Sequence, residues 1–490
     1  MGAPTVVHGG QSQCDSVPTG PSGMAGWVAL GFVGALGMVL TGSRIGSVPG
    51  PAGANWWFSI PLGGSPYVSV AFYVSVVLVV AGWLGVGRRA WRGRLTTGRA
   101  WIVLAVWALP FVVGPPLFSR DIYSYVGQGL IAHRGLDPYS TGPSVLGPGS
   151  LLSSIASVWR STPSPYGPLF VGATRAVATV AGSSLVDQVL AFRALELVGV
   201  ALVMVFLPRL ARHLGTDPGV ALWLGALSPL ALFSFVASGH NDALMVGLLV
   251  AGVALAVEGR LFWGLVLCAL AATVKLPAAL AIVFLAVDRF RTEDGTRRWR
   301  VAFETVAATA AVFVGVTLAV GYGWTWIGPS ALHVPTELRV LSTPSVSLGV
   351  LAFHLLHVVG VPVVRSSVVA VVQYVVALGA VLGTAWLLWT VRHHGVVRSL
   401  GLALILVVVG SPTVWPWYLM WGLVLLAATT AQRSRVLAAV AALSMLVVGP
   451  SGSPRLLGAS YVAVCLVSAA ACIWLVRDQR WRKVVTGHAS

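Results

Sequence analysis

One carboxylate, Asp121, stands beside an arginine and a tyrosine pair in the run Phe118-Ser119-Arg120-Asp121-Ile122-Tyr123-Ser124-Tyr125, just past a long apolar segment. The chain has only 14 acidic residues among 490. An ionisable group at a membrane edge is costly, and its presence there argues for chemistry. General-base catalysis is the chemistry it suits. A half-buried carboxylate against aromatic walls has its pKa raised toward a useful range. The plain alternative is capping, because Ser119 or Asp121 also fits the start of a short amphipathic helix over residues 121–133.

Further polar groups fall on the same expected face. Gly135-Leu136-Asp137-Pro138-Tyr139 offers Asp137 and Tyr139 for binding, although Asp-Pro also opens turns. Trp159 to Leu169 holds Pro163, Pro165, Gly167 and Pro168, which forbids a continuous helix and predicts a rigid turn presenting Tyr166. Gly239-His240-Asn241-Asp242 is a polar quartet between apolar runs. It suits hydroxyl recognition and equally suits a plain turn with Asp242 capping the next helix. Lys275 is one of two lysines against 29 arginines, and it sits among apolar residues before the helix breaker Pro277. Snorkelling explains such a cation without function. A phosphate explains it better, because a broken helix adds free backbone amides. Trp415-Pro416-Trp417 reads as an aromatic belt that also suits stacking on a sugar. Glu196 follows Arg193 by three residues, a spacing that predicts an ion pair on one helix face.

The elements that hold these groups must be membrane helices. Hydrophobic residues make up 57%, charged residues 9%, and the mean hydropathy is +0.86. Repeated long apolar runs without alternation exclude a soluble protein and a β-barrel. The net charge of +17 is explained by topology and not by nucleic acid, since the arginines cluster in short loops. Cys14, Cys268, Cys465 and Cys472 show no metal spacing. His333, His354 and His357 lack an acidic cluster, and neither a metal nor a cofactor is expected.

Placing every basic cluster in the cytoplasm predicts about 14 spans with both termini inside. They run near 26–42, 66–86, 100–117, 185–208, 218–236, 241–258, 261–273, 276–287, 301–321, 366–391, 398–413, 416–430, 435–449 and 457–476. Residues 166–182 and 346–361 are expected as interfacial helices in two long outer loops, 118–184 and 322–365. Loops of that length in a compact domain are usually functional. Residues 1–23 read as a disordered cytoplasmic tail, 24–476 as one transmembrane domain, and 477–490 as a basic cytoplasmic tail.

Together the run 119–125, Gly135 to Tyr139, Pro165-Tyr166-Gly167-Pro168-Leu169 and Ser238-Gly239-His240-Asn241-Asp242-Ala243-Leu244 resemble actinobacterial α-1,6-mannosyltransferases of lipomannan and lipoarabinomannan synthesis. That resemblance implies an all-α polytopic glycosyltransferase of the C superfamily in the plasma membrane, with an extracytoplasmic site. It implies a polyprenyl-phosphate mannose donor and a mannoside glycolipid acceptor, joined by inverting α-1,6 transfer. It places the catalytic base at Asp121 and a donor-phosphate site facing the membrane, to which Lys275 and Arg120 are assigned. Tyr123, Tyr125, Asp137, Tyr139, Tyr166, His240, Asn241, Asp242, Trp415 and Trp417 are assigned to substrate binding. The rival readings are a lipid-linked-sugar flippase or transporter, and a related enzyme using another pentose or hexose donor. Siting at the outer rim, with no visible repeat, disfavours the transporter.

Overall fold

The computed structural model describes residues 22–42, 66–328, 344–429 and 436. The expected span 457–476, nearly all of span 435–449, the tail 477–490, residues 1–21, the outer turns 43–65 and 450–456, and His333 lie outside the described residues. Within them the chain is helical with no strand, as an all-α polytopic membrane protein requires.

Among the described residues, five helices are long and apolar enough to cross a membrane. They are α1 (Ser22–Gly42), α2 (Pro66–Ala90), α6 (Leu185–His213), α12 (Thr296–Val320) and α14 (Arg365–Trp389). Shorter helices fill the remaining expected positions: α3 (Thr97–Val113), α4 (Asp121–His133), α5 (Pro168–Val180), α9 (Asp242–Val257), α10 (Leu261–Val274), α11 (Ala279–Thr292), α13 (Pro344–Val358), α15 (Val396–Gly410) and α16 (Met420–Ala427).

The expected straight span at 218–236 is bent. It is built of α7 (Pro218–Leu224) and α8 (Pro229–Ala237), set at 50° to each other. Two proline starts explain the break. Pro218 and Pro229 each open a helix behind a capping side chain: the Asp217 carboxylate accepts the Val220 amide, and the Ser228 hydroxyl oxygen accepts that of Ala231. Residues 232–237 of α8 form a π-helix, a feature that often accompanies a functional site. α7 is braced against α2 by a reciprocal pair, in which the indoles of Trp83 and Trp223 stack at 4.7 Å and each donates to the other's carbonyl.

Arg193 and Glu196 do not pair as their spacing predicts. Both are buried on α6, but they face different helix ends. The Arg193 guanidinium donates to the carbonyls of Val112 (2.9 Å), Gly114 and Ala237 (3.0 Å), where α3 and α8 finish. Glu196 accepts the Leu244 amide at 3.1 Å, in the first turn of α9. Helix carbonyl ends attract the cation and the amide end attracts the anion, which outweighs the direct pair. These contacts bring the ends of α3, α8 and α9 together under the site.

Candidate active site

Asp121 sits at the first position of α4, where the preceding backbone turns sharply. Phe118 adopts a left-handed conformation, with φ of 66°. For a non-glycine residue this costs about 1–2 kcal/mol. The conformation is held because the Phe118 ring stacks on Phe233 at 5.0 Å, the Leu117 amide donates to Ala237, and the Ser238 hydroxyl donates to Leu117. α4 is not amphipathic as expected, since most of it is buried. The Asp121 carboxylate does not cap α4. Its own amide donates to the Ser119 hydroxyl at 3.1 Å, and its oxygens are turned toward other elements. Oδ1 accepts the Trp159 indole N–H at 3.0 Å, and Oδ2 lies 3.6 Å from His240 Nδ1.

The Asp121 side chain is 17% exposed. Burial raises its pKa to about 6, against the lowering effects of Lys275, Trp159 and Ser119. His240 is fully enclosed, and burial pushes its pKa well down, so the imidazole is neutral beside the carboxylate. Neither of its ring nitrogens has a hydrogen-bond partner. The ring stacks on Trp417 at 4.0 Å, and Trp417 stacks on Trp415 at 4.7 Å.

Lys275 is neither solitary nor snorkelling. It follows α10 with an extended backbone, as the Pro277 break predicts, and its ammonium contacts both oxygens of Asp242, at 3.0 and 3.1 Å. Asp242 also accepts the Trp421 indole N–H. Its carboxylate therefore serves the lysine instead of capping α9. The rings of Tyr418, Trp421 and Tyr166 surround the ammonium at 4.4, 5.2 and 5.8 Å. Such a cage stabilises a cation through the ring faces. His240, 3.6 Å from Asp121, and Asp242, 3.0 Å from the Lys275 ammonium, stand two residues apart on one turn, so the carboxylate of Asp121 and the cation lie on the two sides of one candidate cleft.

Two glycines permit this approach. Gly239 has φ of 68°, turning the chain so that His240 and Asp242 can serve the two halves of the cleft. Gly167 lies so close to α10 that a Cβ there would stand 2.1 Å from the Thr273 carbonyl, and its amide donates to Val274 at 3.0 Å. The proline-rich turn carrying Tyr166 is thereby fastened beside Lys275.

Residues 28–291 match the family model described as alpha-(1->6)-mannopyranosyltransferase, N-terminal domain, and residues 345–477 match the MptB C-terminal domain. Alpha-(1->6)-mannopyranosyltransferase A of Mycobacterium tuberculosis is 34% identical over 454 residues, covering 89% of this chain and 86% of its own. A probable alpha-(1->6)-mannopyranosyltransferase of Mycolicibacterium smegmatis is 31% identical, covering 83% and 79%. The chain belongs to this family. Alpha-(1->6)-mannopyranosyltransferase A of Corynebacterium glutamicum is 28% identical, covering 71% and 76%. No solved structure matches.

Membership makes the chain a membrane glycosyltransferase, and the cleft is its candidate catalytic centre. Tyr125 and Tyr166 meet edge to face at 5.3 Å inside it, and the Tyr125 hydroxyl donates to Asn241 at 3.5 Å. Tyr123 is buried with an unpartnered hydroxyl, close to Arg193 and Arg120. Arg120 is half-buried immediately before α4. Asp137 and Tyr139 lie apart from the cleft. Asp137 accepts the Tyr139 amide at 2.9 Å, a turn contact, and Tyr139 packs with Val171 and Trp326. Trp159, Tyr418 and Trp421 are absent from the sequence assignment yet touch the two key side chains. The aromatic run 415–421 was a visible signal for the last two. For the Lys275–Asp242 pair the signal was the rule that a buried cation demands a counter-ion.

Proposed function

We propose that this glycosyltransferase moves mannose from a polyprenyl-phosphate donor to the 6-OH of a mannoside glycolipid, on the extracytoplasmic face of the plasma membrane. The names of its relatives support mannosyl transfer through α-1,6 links. The observation that carries the reading is a shielded carboxylate held by Trp159 beside His240, with a caged ammonium at the other end of the same turn.

In the proposed step, Asp121 accepts the proton of the acceptor 6-OH. The oxygen attacks the anomeric carbon of the β-linked donor, the new α C–O bond forms, and the bond from that carbon to the phosphate oxygen breaks. The electron pair leaves with polyprenyl phosphate, which needs no proton. A pKa of about 6 leaves Asp121 largely ionised at pH 7 while keeping it basic enough to act. Trp159 fixes the carboxylate, and Lys275 offers its charge to the leaving phosphate. An ammonium has three donors, and Trp421 retains Asp242 when the lysine turns toward the donor. Trp417 is sandwiched between His240 and Trp415, so a sugar would stack on the outer face of the half-buried Trp415, with Trp417 backing it.

The test is transfer by purified protein, given polyprenyl-phosphate mannose and a synthetic mannoside. Linkage analysis should find α-1,6 mannose from wild type and none from Asp121→Asn. Transfer by that variant at the wild-type rate would remove Asp121 from the reaction.

A further inference from the structure

The bundle holds a second polar enclosure at the end away from Asp121, a cavity of about 410 Å³. α9 links the two places. It starts at Asp242 in the cleft and ends at Val257 in the cavity wall, a helix of 16 residues. At 1.5 Å per step the separation is about 22 Å. The wall is strongly basic, with Arg289 from the end of α11, Arg392 from the turn before α15, and Arg398 from its first turn. His213 and His394 join them, against the single acid Asp288. Glu258, next to Val257, is engaged by Arg209 and does not balance this charge.

Loop arginines that only set topology spread into solvent. Here Arg289, Arg392 and Arg398, from separate stretches of chain, line one space whose lining holds a single acid, Asp288. Confined like charges repel one another, and an anion among them relieves that repulsion. α15 also opens into the cavity without a side-chain cap. Gly395, Val396 and Val397 line the space, where first-turn amides remain available. The carbonyl ends of α6, α9 and α11 offset part of the positive charge, but they leave three guanidinium groups against one carboxylate.

We propose that this cavity is a binding site for a phosphate group, separate from the catalytic cleft. Two sources fit the chemistry: the headgroup of an anionic phospholipid entering from the membrane, or a soluble phosphate such as pyrophosphate. The cavity exceeds the size of inorganic phosphate and sits where helices end.

The test uses full-length protein, delipidated in detergent. Phosphatidylglycerol binding is read by native mass spectrometry and pyrophosphate binding by titration calorimetry. Wild type is compared with Arg398→Gln and Arg392→Gln. At least one probe should bind wild type, and a variant should weaken it about tenfold or more, the loss of one charge-assisted contact. Binding of the lipid alone identifies a headgroup site, and binding of pyrophosphate alone a soluble ligand. Arg392 is exposed, so its replacement leaves the core intact should Arg398→Gln fail to fold. Absence of binding by both probes, or binding that every folded variant leaves unchanged, overturns the proposal. Neither outcome bears on Asp121, because Asp121→Asn should bind both probes as wild type does.

Discussion

Asp121 works under opposing influences, and each can be altered separately. Burial raises its pKa to about 6 and Trp159 lowers it. The base must be ionised, so kcat/KM should fall tenfold per pH unit below about 6 and level off above it. Trp159→Phe removes a hydrogen bond to the charged form, which raises the carboxyl pKa further. The acid limb of the pH–rate profile should therefore move to higher pH, while activity at pH 8 changes much less. An unmoved limb would mean that the indole does not act on the base. Lys275→Met should act on the donor side. It should raise the donor KM about tenfold or more, the size of one lost charge-assisted contact, and it should also move the acid limb to higher pH, because the ammonium holds the Asp121 pKa down. Asp121, Tyr166 and Lys275 were legible as candidates because a charged or aromatic residue in an apolar chain stands out. Trp159 and Asp242 in their actual roles were not. Their partners lie 38 and 33 residues away, and only folding reveals such neighbours.

Among the elements, the break at Lys275 and the turn around Tyr166 were readable from proline and glycine alone. The bend between α7 and α8 was not, because a run of apolar residues has the same hydropathy whether straight or kinked. The pairing of Arg193 with Glu196 failed for a similar reason: spacing finds neighbours on one helix but not the ends of others. Arg193 secures three carbonyls from α3, its exit and α8. Arg193→Met should lower the melting temperature strongly. The Val112 and Gly114 carbonyls would be left unsatisfied, at about 1–3 kcal/mol each before relaxation, while that of Ala237 keeps the Leu117 amide. Transfer should fall with it, since these ends support the backbone preceding Asp121. A scan showing wild-type stability would reject this brace.

For the whole molecule, helical class and membrane residence follow from composition, and the proposed direction of insertion rests on the arginine clusters. The proposed orientation puts Ser161, an exposed residue near the cleft, outside, and His393, exposed at the other end, inside. In a variant lacking the four native cysteines, an impermeant maleimide on intact cells should label Ser161→Cys and spare His393→Cys until the membrane is opened. The reverse pattern would invert the topology and remove the catalytic face from the exterior.

The contact between Gly167 and the α10 terminus has a consequence for how substrates enter. One rung of backbone joins the proline-rich turn that carries Tyr166 to the stretch of chain that carries the ammonium. Lifting the proline-rich turn would drag Lys275 along and undo both half-sites together. A lipid-borne sugar is thus better served by sliding in sideways between helices than by waiting for a flap to rise, and Gly167→Ala, by wedging the two apart, should impair both substrates' KM at once.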